Sequence, residues 1–121
     1  MASAKRLSEK LGIRPGGRIL MVAAPAGFSL EDLPPGATID YAPPADTMLV
    51  FVTSKAEFLD RVPPAARSLS ARGALWVGYP KGSKVDVNRD VLRELGATMG
   101  LDTIALFAID DTWTALRFKA P

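Results

Sequence analysis

The sequence predicts a single α/β domain over residues 1–121, built as three layers around a mostly parallel sheet that ends in an antiparallel hairpin. Three observations carry this. Thr47-Met48-Leu49-Val50-Phe51-Val52 is an almost unbroken apolar run, as expected of a parallel strand buried on both faces. Strand-like and helix-like segments alternate along the chain. Near the end, Thr103 to Ile109 and Thr114 to Phe118 are separated only by Asp110-Asp111-Thr112-Trp113, a linker short enough for a hairpin.

Residues 3–11 read as a short amphipathic helix with Leu7 and Leu11 on one face, stopped at Gly12. Pro15-Gly16-Gly17 turns the chain into a first strand, Arg18 to Val22. A helical turn is expected around Ser29 to Leu33 and ends at Pro34-Pro35-Gly36. Ala37 to Tyr41 reads as a short strand broken by Pro43-Pro44. After the apolar run, Ser54-Lys55-Ala56-Glu57 is a capping-box pattern that starts a helix. Pro63-Pro64 should interrupt or kink it, because proline lacks the amide and clashes with the preceding turn. The helix is expected to resume over Ala65 to Ala71, with Gly73 past its end. Ala74 to Tyr79 is the next strand, closed by Pro80. Asp86 is the expected N-cap of a helix whose stripe is Val87, Val91, Leu92, Leu95 and Met99, with Gly100 as its left-handed C-terminal cap.

Composition narrows the chemistry. The chain has 121 residues, no cysteine and no histidine. Disulfides, thiol nucleophiles, Cys- or His-ligated metals and the Ser-His-Asp triad are therefore excluded. An enzyme built from this chain alone would have to work with carboxylates, lysine, tyrosine or hydroxyls, so a non-catalytic role is favoured. The formal net charge is only +2. Lys5, Arg6, Lys10, Arg14 and Arg18 cluster near the N-terminus without the interleaved aromatics of a nucleic-acid surface, and read as a solvated face. Met1 to Gly12 has no apolar signal-peptide core and Ile19 to Pro25 is far too short to span a bilayer, so a cytoplasmic protein is expected.

The first strand leads into Ala23-Ala24-Pro25-Ala26-Gly27-Phe28. A G-x-G-x-x-G loop needs its glycines for a tight turn and for close backbone approach to a cofactor. Here there is one glycine, a proline within the turn and no acidic residue ending the strand. No cofactor is read from it.

Lys10-Leu11-Gly12-Ile13-Arg14-Pro15-Gly16, Arg72-Gly73-Ala74-Leu75-Trp76-Val77, Tyr79-Pro80-Lys81 and Asp110-Asp111-Thr112-Trp113-Thr114-Ala115-Leu116-Arg117-Phe118 occur together and in this order. In them the chain resembles a family of small bacterial proteins of unassigned function, which implies no transferable activity. The pattern is also similar, at the level of the fold, to a shortened S-adenosylmethionine-dependent methyltransferase, a Rossmann-like domain. In that family a helix, a glycine-containing turn and a strand lead into the later sheet, as Ala65 to Val77 does here, and an antiparallel hairpin ends it. This chain departs from the pattern after Val22, where the glycine-rich loop is missing. It departs again at Asp40, which is followed by Tyr41-Ala42-Pro43 instead of cleanly ending a strand.

In open parallel sheets ligands bind beyond the carboxyl ends of the strands. The expected site is therefore the crevice where Ala23 to Phe28, Thr53-Ser54, Tyr79 to Lys84 and Asp110 to Trp113 would converge. Lys81, Ser83 and Lys84, with Gly82 between, form a loop suited to a phosphate or carboxylate. Lys81 is preferred because it sits at the strand end, and Asp86 opposes an anion there. Asp111 could bridge to Lys81, making the pair structural. Adjacent Asp110 and Asp111 are explained most simply as turn formers. Trp113 offers a ring for stacking, whereas Trp76 belongs to the core. Tyr79 points its hydroxyl either into the crevice or to water. Ser54 is committed to capping. No catalytic or metal-ligating residue is assigned. Phe28, Leu30 and Leu33 are expected to cover a sheet face that lacks a regular helix.

The expected function is a small binding or interaction module, taking a small anionic ligand or docking a protein, including a second copy of itself. The alternative is a methyltransferase-type enzyme or adenosyl-cofactor binder completed by a partner. Nucleic acid and membrane are not expected partners.

Overall fold

The computed structural model describes residues 7–28, 30, 33–39, 43–82 and 87–119, with residues 71 and 72 described by their backbone alone. The elements run α1 (Leu7–Lys10), β1 (Arg18–Val22), β2 (Thr38–Ile39), β3 (Ala45–Phe51), α2 (Lys55–Arg67), β4 (Leu69–Pro80), α3 (Arg89–Thr98), β5 (Asp102–Ala108) and β6 (Trp113–Lys119). Residues 3–6, the centre of the expected turn at Ser29, Glu31 and Asp32, and Asp40 to Ala42 lie outside the described residues. So do Ser83, Lys84 and Asp86.

Among the described residues six strands form one sheet in the order β2-β1-β3-β4-β6-β5. β2, β1, β3 and β4 are parallel, with Ile19 beside Thr47 and Val50 beside Val77. β6 inserts antiparallel between β4 and β5, so Trp76 lies opposite Arg117 and Ala108 opposite Thr114. The central position of β3 explains its unbroken apolar sequence. Met48, Val50 and Val52 point to one face and Leu49 and Phe51 to the other, and all five are buried. Burying each such side chain contributes roughly 1.5–3 kcal/mol.

One face of the sheet is covered by α2 and α3 through Phe58, Val62, Ala65 and Leu92, which meet Leu75, Val77, Leu116 and Phe118. The other face carries α1 and irregular chain, in which Leu11, Ile13 and Leu30 are buried and Phe28 and Leu33 pack against them. These residues take the place of a regular covering helix. The Trp76 indole N–H, directed into this layer, donates to the Leu11 carbonyl at 3.0 Å and ties α1 to the sheet.

Several boundaries differ from expectation. α2 runs through Pro63 and Pro64 to Arg67 without a break. The prolines cannot donate to Leu59 and Asp60, but both acceptor residues are on the exposed side of the helix, where water serves instead. The helix ends early because Ser68 closes it, its N–H donating to the Ala65 carbonyl and its hydroxyl to the Pro64 carbonyl. Residues 69–71 consequently begin β4, and Gly73 lies inside that strand. A Cβ on Gly73 would stand 3.2 Å from the Ala45 carbonyl oxygen, beside the register shift between β3 and β4. α3 is capped by Asn88, whose side-chain oxygen accepts from the Val91 N–H at 2.9 Å, so the helix begins later than a cap at Asp86 requires. Gly100 does close α3: at φ 78° its N–H reaches the Ala97 carbonyl while that of Leu101 reaches Gly96, a Schellman arrangement. No helix among the described residues is long and apolar enough to cross a membrane.

Candidate functional site

At the carboxyl edge of the sheet two turns face each other. The first follows β1. Ala23 takes a left-handed conformation with φ 58°, unusual for a residue with a side chain. The chain then turns at Pro25-Ala26-Gly27-Phe28, where the Phe28 N–H donates to the Pro25 carbonyl at 3.0 Å. Gly27, at φ 81°, supplies the positive angle a type II turn requires at its third position.

The second turn joins β5 to β6. Asp110 Oδ1 accepts from both the Thr112 and Trp113 amides at 2.8 Å, so the carboxylate shapes the hairpin tip. A crevice of about 460 Å³ lies between the turns, lined by Leu7, Pro25, Gly27, Phe28, Asp110 and Trp113 among others. Phe51, at the end of β3, forms its aromatic foundation. The Phe28 and Trp113 rings meet Phe51 edge-on, with centroids 5.0 and 5.1 Å away. Gly78 makes room for the Phe51 ring, which would stand 3.0 Å from a Cβ at that position.

The other strand ends are occupied differently. Ser54 Oγ accepts from the Glu57 amide at 3.1 Å, as a cap should. Glu57 reaches back one residue further than a capping box predicts, to the Thr53 amide and hydroxyl, and pairs with Arg61 at 3.1 Å. These donors, the Thr53 amide foremost, hold the Glu57 carboxyl below its usual range. Arg61 also donates to the Phe51 carbonyl at 2.8 Å. Thr53 and Ser54 therefore cap the start of α2 and do not line the crevice.

The expected site residues separate. Trp113 lies in the crevice wall. Lys81 is exposed and beside it, since its backbone N–H donates to the Thr112 carbonyl at 2.8 Å. Asp111 is exposed at the same hairpin tip, and among the described residues no ion pair joins it to Lys81. Tyr79 is placed elsewhere: only 7% exposed, it packs on the α2–α3 side with Val77, Val87 and Leu92. Burial raises its phenol above the ordinary value. Ser83 and Lys84 lie outside the described residues. Phe51 is not legible in the sequence as part of the site, because there it is one apolar residue within a core strand.

No family model matches the chain, and no curated protein matches it. Solved structures do. A LepI variant in complex with SAH and a substrate analogue superposes with a TM-score of 0.55 at 16% identity, over 95% of this chain and 39% of that one. LepI in complex with SAM gives 0.54 at 16% identity, with the same coverage. A structure described as a pericyclic reaction enzyme gives 0.51 at 17%, again over 95% and 39%. At these identities the likeness is one of fold. The chain spans 39% of the length of those proteins and carries a methyltransferase-like sheet with its antiparallel C-terminal strands.

Proposed function

We propose that this domain is a non-catalytic binding module whose carboxyl-edge crevice takes a small ligand with a planar heteroaromatic part and an anionic group, of which adenosyl compounds are the leading class. The observation that carries this reading is the convergence of the Pro25–Phe28 and Asp110–Trp113 turns around Phe51, which offers two aromatic side chains beside a recess of about 460 Å³. A planar ring stacks on such side chains. Lys81, exposed next to Thr112, supplies the cation for a carboxylate or phosphate at the rim.

The absence of catalysis rests on the inventory of the crevice. Among the described residues its one ionisable lining residue is Asp110, whose Oδ1 is engaged by two backbone amides. A methyl transfer that needs a base would have to draw it from a partner chain. That LepI is described in complex with SAM and SAH supports testing adenosyl compounds first. The resemblance to small bacterial proteins supplies no activity to carry over.

A thermal-shift titration with S-adenosylmethionine, S-adenosylhomocysteine, adenosine and inorganic phosphate tests the proposal. Ligand at a hundred times its Kd stabilises by about 2.7 kcal/mol, a shift of roughly 10 °C for a domain of this size. Lys81→Ala should weaken binding of the anionic ligands while leaving the ligand-free Tm unchanged. A flat response to all adenosyl compounds would overturn the reading.

A second reading, docking of a protein, is favoured by the outer edge of the sheet. Among the described residues β5 has no strand beyond it, and Ile104 and Leu106 are 49% and 46% exposed there. Sedimentation of wild type against Ile104→Lys distinguishes a self-associating edge from a monomeric one.

A further inference from the structure

We propose that the opposite, amino end of the sheet holds a second binding site, specific for a small polyanionic oxyanion such as an organic phosphate or a polycarboxylate. A cavity of about 550 Å³ opens there between the α1–β1 connection and the ends of β3, β4 and β6. That is larger than inorganic phosphate needs and within the range of small-molecule sites.

Two guanidinium groups, Arg14 and Arg117, line it. They come from opposite ends of the chain and meet only because β6 inserts beside β4, with Arg117 directly across from Trp76. The Arg117 guanidinium lies over the Trp76 ring, 5.9 Å from its centroid, which fixes the cation in the wall. Arg117 Nε is shielded from solvent and has no hydrogen-bond partner among the described residues. A buried charged donor left unpaired is destabilising, so a counter-charge in this cavity, beside the same guanidinium group, offsets that cost.

Asp46, the one acidic lining residue among those described, is already committed. Its carboxylate accepts from the Arg18 amide at 2.9 Å and the Ser70 hydroxyl at 2.7 Å, and these donors hold it below the usual carboxylate range. No ion pair joins it to Arg14 or Arg117 among the described residues. Among the described residues the cavity thus presents two cations, Arg117 held against Trp76 and Arg14 exposed at the rim, against one carboxylate that is already bonded. Guanidinium forks suit phosphate and carboxylate oxygens. This site is independent of the aromatic crevice, which lies at the other end of the strands.

Pyrophosphate and citrate, titrated separately at low salt into 15N-labelled protein while the Arg117 Nε–H resonance is followed, test the proposal. Either probe should move that resonance saturably. Arg14→Gln, at an exposed position, should leave the Tm unchanged and weaken binding roughly tenfold, the loss of one charge-assisted contact. Arg93→Gln, on the far side of the sheet and paired with Asp90 at 3.3 Å, should leave binding unchanged. Response to pyrophosphate alone identifies a phosphate site, and response to both a general oxyanion site. No movement up to about 10 mM, or equal binding in the Arg14 and Arg93 variants, would overturn the proposal. Arg117→Gln is a further variant if it folds, and the Arg14 arm stands without it.

Discussion

Gly96 on α3 leaves the space that the Phe118 ring of β6 fills. A Cβ there would stand 2.9 Å from Cδ1 and 3.3 Å from Cζ of that ring, and closer still to Cε1. Phe118 is buried and meets Phe58 edge-on, with centroids 6.0 Å apart, which leaves its ring little room to move aside. The glycine therefore sets how closely the helix layer approaches the sheet.

Gly96→Ala should accordingly reverse the usual helix trend. In an exposed helix the change stabilises by up to about 1 kcal/mol. Here overpacking costs roughly 1–3 kcal/mol, so a net loss is expected on urea denaturation. A stabilised variant would show that α3 can move away from β6.

Trp76→Phe keeps most of the buried ring and removes the donor to the Leu11 carbonyl. Leaving that acceptor unpaired should cost about 1–3 kcal/mol, with added loss from the smaller ring. Hydrogen exchange should rise at the α1 end, whose Leu11 amide bonds to Leu7. Unchanged exchange there would mean that α1 is held by apolar packing alone.

Asp110 separates a structural carboxylate from a reactive one. Asp110→Asn retains the oxygen that receives the Thr112 and Trp113 amides, and should leave stability and ligand binding near wild type. Asp110→Ala removes both bonds and should destabilise by about 1 kcal/mol. Equal behaviour of the two variants in a melt would contradict the turn-forming role.

On the acid side, Glu57 and Asp46 are the carboxyls among the described residues that make stability depend on pH. Both carboxyls are held below their ordinary values by hydrogen bonds present only in the fold. A depressed folded value means that the stabilisation is complete above the ordinary carboxylate range and is lost as pH falls through the folded value. Stability should therefore decline below about pH 5, and Glu57→Gln should make that decline shallower. Denaturation midpoints between neutral and acid pH measure the slope, and an unaltered slope in the variant would assign it to other groups.

Ala23→Gly should not carry the usual penalty of a glycine. A left-handed L-residue costs about 1–2 kcal/mol, which offsets the roughly 0.5–1 kcal/mol of added backbone entropy. A Tm equal to or above wild type is expected. A clear loss would show that the Ala23 methyl makes a contact worth more than the strain.

Much of this molecule is decided by residues within a few positions of one another. The apolar run of β3, the Ser54 cap, the Gly100 closure and the tight β5–β6 linker each carry their own local physics, and periodicity and turn chemistry therefore read correctly from sequence. Local rules misplaced the end of α2 and the start of α3, where Ser68 and Asn88 offered competing caps. Which side chains meet was decided only by strand order and register. The pleat of β4 puts Tyr79 on the helix side with Leu75 and Val77. The antiparallel entry of β6 beside β4 sets Trp113 near Phe28 around Phe51 and puts Arg117 in one cavity wall with Arg14 at the other end. Those meetings depend on how the two apolar faces pack across the whole sheet, and short-range sequence signals carry no record of that packing.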